Sequence, residues 1–598
     1  MEKLLMGNEA IAYGAAAAGA GVVSGYPGTP STEVLETVAK INKDKKIYVE
    51  WSSNEKVALE VAAGAAYAGM RSMVTMKQVG LNVASDPLMS LAYVGIKGGM
   101  VILVADDPGP LSSQTEQDTR HFARYANLPV FDPSTPDEAY EMTIAAFELS
   151  EKIGKPVFLR PTTKVCHSCA TLNVPDSFSV RAAEGFVKDP KWVIFPPLAY
   201  RAHVEIEKLM LSLSEELSSS RFNSCCGSAE IGIAAGGVSY TYVKEITERF
   251  NLDFRILKIG ITNPFPEKLA KEFISGLKRV IVFEELDPVI EEGLIETAYK
   301  NGIPVEILGK KSGDTPCAGE FTYETVKSGI EKISNIALGE EERRLTPPPL
   351  PVRNPVLCAG CPHRASFYAV KRAMKGQKAV FTGDIGCYTL GNAKPLEMTD
   401  TCLCMGAGIT VAQGLHRAEP DTAHIAFVGD STFFHTGIPG IVNAIYNRTD
   451  ITVVILDNYT TAMTGHQPHP GIGKTMMGEN HGKIDIYSVV KALGVSYAAK
   501  ANPFELEKAE SIIKEAVQTK GVSVVIFESP CIALVKPAQK VTISSEKCRA
   551  CRKCINEIGC PALFVGDDGK VFAEASLCTG CGLCMDICPF DAIGGEAL

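Results

Sequence analysis

VGDSTFFHTGIPGIVNAIYNRTDITVVILDNYTTAMTGHQ, residues 428–467, is the stretch whose reading decides the fold class. With the residues before it, it reads as a buried strand, AHIAFVGD, then a Gly/Pro-punctuated loop, a helix through Ile441 to Tyr446 and a second buried strand, DITVVILDN. That is one βαβ unit. In open parallel sheets ligands sit beyond the carboxyl ends of the strands, and here the first strand delivers Asp430 and the second Asp457 and Asn458. A carboxylate and an amide oxygen converging on one point suit Mg²⁺, a hard cation that completes its octahedron with diphosphate oxygens and water. An ordinary Rossmann-like crossover with a strand-end aspartate fits the same window.

Gly429-Asp430-Ser431, then 25 residues, then Asp457-Asn458 resembles the thiamine diphosphate motif, in which Gly-Asp-Gly is followed at about this distance by Asn-Asn. Ser431 replaces the second glycine and Asp457 the first asparagine. The resemblance implies that Gly429 shapes the cofactor turn, and that Asp430, the Asn458 side chain and the Thr460 carbonyl bind Mg²⁺.

Composition bounds the rest. A chain of 598 residues holds about three to five domains, and 46% hydrophobic content suffices for packed cores. The net charge of −10 argues against a nucleic-acid partner. No run of about 18 apolar residues is present, so no membrane span is expected. The Ala/Gly-rich start, NEAIAYGAAAAGAGVVSGYPG, carries Glu9 before its apolar run and continues into a Pro-Gly turn, so it reads as helix and strand rather than signal peptide. Of 19 cysteines, eight fall in the last 51 residues at metal-ligand spacings, which points to a reducing cytoplasm.

The expected class is α/β, with several doubly wound parallel sheets. Residues 1–187 alternate Ala/Gly-rich helices with short strands and form the first segment. Lys188 to Pro197 reads as a linker, and 199–339 as a second, smaller α/β segment. LTPPPLPVRNP makes 340–355 a proline-rich linker, 356–537 holds the opening stretch, and 541–598 is the cysteine-rich tail.

In the first segment, NEKVALEVAAGAAYAG places Glu55 at the start of an Ala-rich helix, with Gly64 nine residues on. This resembles the pyrimidine-binding helix of thiamine diphosphate enzymes and implies that Glu55 holds a proton on the aminopyrimidine, a role that needs a buried carboxylate. A solvated first-turn acid favoured by the helix dipole fits the same position. GYPGTPSTE and DDPGPLSSQTEQDTR resemble the 2-oxoacid:ferredoxin oxidoreductases, in which a Tyr-Pro turn presents a threonine to the substrate carboxylate. Thr29 matches that threonine, and Arg120 is a candidate bidentate clamp. Turn chemistry and a solvated arginine fit these residues as well. The loop after Asn458 resembles the family's substrate loop and carries His466 and His469, candidates for orienting substrate or moving a proton, or plain surface histidines.

Cys358, Cys361, Cys387 and Cys531 follow the order of a proximal [4Fe-4S] cluster in relatives of this family, and the resemblance implies a third cluster there. A zinc site or four buried thiols fit the same residues. The tail is more specific. Cys548, Cys551, Cys554 and Cys560-Pro561 are followed by Cys578, Cys581, Cys584 and Cys588-Pro589, the second half being CxxCxxCxxxCP. In two-cluster ferredoxins the fourth cysteine serves the other cluster, so cluster one takes Cys548, Cys551, Cys554 and Cys588, and cluster two Cys578, Cys581, Cys584 and Cys560, on a small ferredoxin-like α+β domain. The first half carries five residues rather than three before its Cys-Pro.

The segment order resembles the large alpha subunit of indolepyruvate ferredoxin oxidoreductases. That resemblance implies oxidative decarboxylation of arylpyruvates to aryl-acetyl-coenzyme A, with thiamine diphosphate, Mg²⁺, external ferredoxin and a smaller beta subunit. The same chemistry on pyruvate or branched-chain 2-oxoacids, a non-oxidative decarboxylase and a non-catalytic electron-carrying subunit are the alternatives.

Overall fold

The computed structural model describes residues 1–339, 348–478, 482–536 and 540–595. The chain forms two compact units, Met1–Thr346 and Pro347–Leu598. The linker expected over 340–355 and the ends of the segments 356–537 and 541–598 fall partly outside the described residues.

The first unit is built on two large sheets, beside the short antiparallel pair Glu2–Met6 and Cys169–Asn173. In the larger, seven strands run in the order Ile261–Asn263, Val130–Phe131, Val157–Leu159, Met100–Ala105, Ser72–Lys77, Val22–Gly25 and Tyr48–Trp51. All neighbours are parallel except Ile261–Asn263, which comes from the second expected segment and pairs antiparallel with Val130–Phe131. The central strand MVILVA is wholly buried, as a parallel sheet covered on both faces requires. The Ala/Gly-rich start forms the helix Gly7–Ala17, and its small residues let the helix Pro136–Ile153 come close: a Cβ at Gly14 would lie 2.9 Å from the Tyr140 carbonyl. The smaller sheet has five strands in the order Glu306–Leu308, Arg279–Phe283, Ile231–Gly236, Arg255–Ile259 and Ser224–Cys226. Within 188–197, Trp192 packs on Tyr67 with ring centroids 4.7 Å apart, which holds this segment against the helix Glu55–Tyr67.

The second unit carries one parallel sheet, in the order Ala379–Thr382, Ala423–Gly429, Ile451–Asp457, Val522–Glu528 and Tyr497–Ala501. The opening stretch forms the expected βαβ unit with one difference. Helix starts at Asp430 rather than near Ile441, running through a π turn at Phe433–Gly437 into Ile438–Tyr446. Pro439 explains this: it has no N–H for the preceding turn, and the chain widens so that the Ile438 amide reaches the Phe433 carbonyl. The cysteine-rich tail folds around two short antiparallel pairs, Thr542–Ile543 with Ile593–Gly594 and Leu563–Val565 with Val571–Ala573. It has no core of its own: Ile558, Leu563, Leu583 and Ile587 share one apolar cluster with Phe367, Tyr368, Val370 and Phe427. The helix Pro362–Ala373 contributes Ala365, Phe367, Tyr368, Ala369, Val370 and Ala373 to that cluster.

Candidate active site

In the first unit the candidate residues gather at the carboxyl ends of the strands. Glu55 opens the helix Glu55–Tyr67, and Asn54 caps it by accepting the Val57 amide at 2.9 Å. The Glu55 side chain turns inward, leaving the residue 5% exposed. Gly80 of the helix Gln78–Val94 makes the room, since a Cβ there would sit 2.6 Å from Glu55 Oε1. Gly64 plays no such part: nothing lies within 4 Å of where its Cβ would be. The glycine that matters is on a different helix, where spacing along one helix cannot reveal it.

Thr29 is half-buried, and its carbonyl accepts from Ser112 Oγ at 3.1 Å. Beside it, Lys77 ends the strand Ser72–Lys77 and donates to the Ser112 carbonyl at 3.0 Å. Gly28 lets the chain approach this lysine, because a Cβ there would meet Lys77 Cδ at 2.8 Å. Burial pushes the Lys77 ammonium down from its ordinary range, against the pull of Asp107 and Glu55. The sequence reading did not single out Lys77.

Arg120 departs from its expected role. It is 2% exposed, and its nitrogens are committed inward: Nε to Asp118 at 2.9 Å, Nη1 to Glu284 at 2.9 Å, and Nη2 to the Glu285 and Asp287 carbonyls at 3.0 and 2.9 Å. Although burial acts the other way, Arg120 and Arg160 hold the Asp118 carboxyl well below the usual carboxylate range. Arg120 is a structural pin rather than a substrate clamp, because Asp118, two residues away, captures the guanidinium first.

In the second unit the strand ends converge as the βαβ pattern requires. Asp430 and Asn458 are 3% and 4% exposed, and the Asn458 and Ser431 amides donate to the Asp430 carboxylate at 3.1 and 2.7 Å. Gly429 is needed here, since a Cβ would lie 2.2 Å from the Tyr388 hydroxyl. Turning the Asn458 amide would put its nitrogen 2.8 Å from the Thr460 carbonyl and 3.2 Å from Asp430 Oδ2; unturned, its oxygen takes that place. That oxygen then stands at those distances from two other oxygens. Neighbouring ligands on an octahedron with bonds of about 2.1 Å lie about 3.0 Å apart, so the two spacings suit adjoining ligands of a Mg²⁺ shell. Burial, with Asp430 opposite, pushes Asp457 up to about 7. A protonated Asp457 donates as the amide it replaces in the motif would.

Asp384 accepts from the Gly406, Ile385 and Gly429 amides at 2.8, 2.8 and 3.2 Å, which fixes the end of the strand that carries Asp430. No sequence signal separated it from other strand-end acids. Of the two loop histidines, His466 is exposed at a positive φ of 67°. His469 is the one that turns in, placing Nε2 3.2 Å from Asp430 Oδ2.

The eight tail cysteines sort into the two expected quartets. The strongest electrostatic neighbours of Cys554 are Cys588, Cys551 and Cys548, and those of Cys584 are Cys581, Cys560 and Cys578. Each quartet lines its own small cavity. Burial first, and then the neighbouring thiols, push Cys554 up to about 11 and Cys584 up to about 12. Only a strongly positive centre makes such crowded thiols release their protons, and an iron–sulfur core is one. Cys358, Cys361, Cys387 and Cys531 also converge: Cys387 faces Cys531 and Cys358, and Cys361 faces Cys358. Among the described residues, no three of these sulfurs lie within 4.8 Å of one another.

A turn for a metal-bound diphosphate on the same chain as two iron–sulfur quartets defines a class, the thiamine diphosphate-dependent oxidoreductases that pass electrons to iron–sulfur clusters. Comparison with known proteins agrees. Residues 13–192 match the family described as pyruvate flavodoxin/ferredoxin oxidoreductase, thiamine diphosphate-binding; residues 384–527 match the C-terminal thiamine pyrophosphate-binding domain, and 573–594 the 4Fe-4S binding domain. The indolepyruvate oxidoreductase subunit IorA of Methanothermobacter marburgensis is 42% identical over 99% of this chain and 97% of its own. That of Thermococcus kodakarensis is 42% identical over 98% and 96%, and that of Archaeoglobus fulgidus 41% identical over 98% and 97%. The chain belongs to the IorA family and is a 2-oxoacid:ferredoxin oxidoreductase that uses thiamine diphosphate and [4Fe-4S] clusters. Among the described residues, no helix is long and apolar enough to cross a membrane.

Proposed function

We propose that this chain oxidatively decarboxylates arylpyruvates, indolepyruvate among them, to aryl-acetyl-coenzyme A. A smaller beta subunit completes the enzyme, an external ferredoxin takes the electrons, and the reducing cytoplasm is its compartment. The observation that carries the aryl preference is end-to-end similarity to proteins named for indolepyruvate. When bound, thiamine diphosphate supplies a carbanion for the 2-oxo carbon and an electron sink for loss of carbon dioxide.

The chain's residues take separate tasks. Asp430, the Asn458 side chain and the Thr460 carbonyl hold Mg²⁺, and Gly429 lets the turn close over the diphosphate. Glu55, buried against Gly80, holds a proton on the aminopyrimidine. Thr29 orients the substrate carboxylate, with Lys77 beside it in the place expected of Arg120. Cys358, Cys361, Cys387 and Cys531 hold a third, proximal cluster, and the two tail quartets hold the others in the pairing given above. The test is reduction of ferredoxin by the chain with its partner, given coenzyme A and a panel of 2-oxoacids. Arylpyruvates should give the highest kcat/KM, and a preference for pyruvate or 2-oxoglutarate would overturn the aryl reading.

A further inference from the structure

Arg364 is the third residue of the helix Pro362–Ala373 and is 4% exposed, yet among the described residues its guanidinium makes no hydrogen bond to a carboxylate. Nη1 donates to the carbonyls of Ile558 and Gly559, the latter at 3.0 Å, and Nη2 donates to the carbonyl of Leu357. Nε has no partner. Gly559 precedes Cys560 and Leu357 precedes Cys358, so one side chain ties the approach to a cluster-two ligand to the approach to the proximal pair. The loop of the proximal pair also meets the other ligand loop of that quartet. A Cβ at Gly360, where φ is +75°, would lie 2.2 Å from Thr579 Oγ1, between Cys578 and Cys581. The strongest electrostatic neighbours of Arg364 are Cys560, Cys361, Cys581 and Cys358.

A buried cation without an anionic partner costs several kcal/mol. A [4Fe-4S] core with four thiolates is a dianion that becomes a trianion on reduction, so a fixed positive charge beside it favours the reduced state. We infer that Arg364 is a positioning residue for electron transfer: its charge raises the potential of cluster two, held by Cys560, Cys578, Cys581 and Cys584, above what its ligands alone would set. None of the cluster-one cysteines, Cys548, Cys551, Cys554 and Cys588, is among the strongest electrostatic neighbours of Arg364. The inference rests on the ligand pairing proposed above.

The experiment is an EPR-monitored redox titration of the holoenzyme, with iron analysis, on Arg364→Gln, Arg364→Lys and Cys560→Ser. Cys560→Ser marks which tail signal belongs to cluster two. Arg364→Gln should lower the potential of that cluster by 59 mV or more, about a tenfold change in its reduction equilibrium, and leave the other tail cluster where it was. Arg364→Lys should stay near the wild-type value. An unmoved potential in Arg364→Gln, an equal shift in both tail clusters, or the same shift in Arg364→Lys would overturn the proposal. If Arg364→Gln fails to load iron, Arg364→Lys decides: wild-type iron and potential support the role of charge, and lost iron shows a role in packing alone. If Cys560→Ser disturbs neither tail cluster, the ligand pairing has failed and the proposal goes with it.

Discussion

His469 Nε2 lies 3.2 Å from Asp430 Oδ2, with both side chains almost wholly buried. Burial alone would push the imidazole down, but Asp430 more than offsets it and raises it; burial likewise opposes the Asp430 anion, which His469 restores to below its ordinary range. The raised histidine contributes stability that is full below its unfolded value of about 6.5 and lost as pH rises through its folded value. The lowered aspartate contributes stability present above about 3.9 and lost as pH falls through its folded value. In cofactor-free protein, His469→Gln should therefore cost most stability between about pH 4 and 6.5 and progressively less toward pH 9. Thermal unfolding of both proteins across that range checks this; a loss that grows with pH would contradict the pairing.

Glu55→Gln should keep thiamine diphosphate bound and lower kcat by 10²-fold to 10⁴-fold, the range for removing a positioned proton-transfer group. Cofactor content and steady-state rates measured together test it, and full activity would remove Glu55 from the mechanism.

Gly80→Ala should act through the same acid. A methyl group 2.6 Å from Glu55 Oε1 must displace it, so kcat should fall while the folded protein and its iron content persist. Circular dichroism and turnover give the comparison. Normal kcat would mean that Glu55 tolerates the shift and does not depend on this pocket.

Lys77→Met should raise KM for the 2-oxoacid by about tenfold, the worth of one charge-assisted hydrogen bond of roughly 1.4 kcal/mol, with kcat less affected. Steady-state kinetics with the preferred 2-oxoacid check this. Arg120→Met should instead lower thermal stability by about 3–5 kcal/mol, since it strands Glu284 and leaves Asp118 only the more distant Arg160. A change in KM at unchanged stability would restore Arg120 to the substrate site.

How legible these sites were in the sequence depended on how much chain lies between their parts. Asp430 and Asn458 close one βαβ unit, so strand periodicity alone put them at one sheet edge. The tail quartets were legible because cysteine spacing is close to a direct statement of ligand geometry. Glu55 could be found from its helix, but Gly80 lies on the next one, and only packing shows that it makes the acid's pocket. Arg120 misled because its fate rests on Asp118 beside it and on Glu284, which is far away in sequence. His466 and His469 differ only in how the loop turns: the Thr461 and Gln467 backbones pair and leave His466 at the exposed tip. The early helix start at Asp430 needed the π turn at Phe433–Gly437, ahead of Pro439, which periodicity cannot anticipate.

The central claim is that thiamine diphosphate, anchored through Asp430, and the cysteine-bound clusters form one path for electrons from a 2-oxoacid. The most direct test mixes Asp430→Ala or wild-type enzyme, each with its partner subunit, with indolepyruvate, coenzyme A and oxidised ferredoxin under anaerobic conditions. The wild type should bleach the clusters and reduce ferredoxin. Asp430→Ala should keep full iron, lose its bound cofactor and reduce nothing. Ferredoxin reduction at the wild-type rate by Asp430→Ala, or none by the fully loaded wild-type enzyme with any 2-oxoacid, would contradict the account.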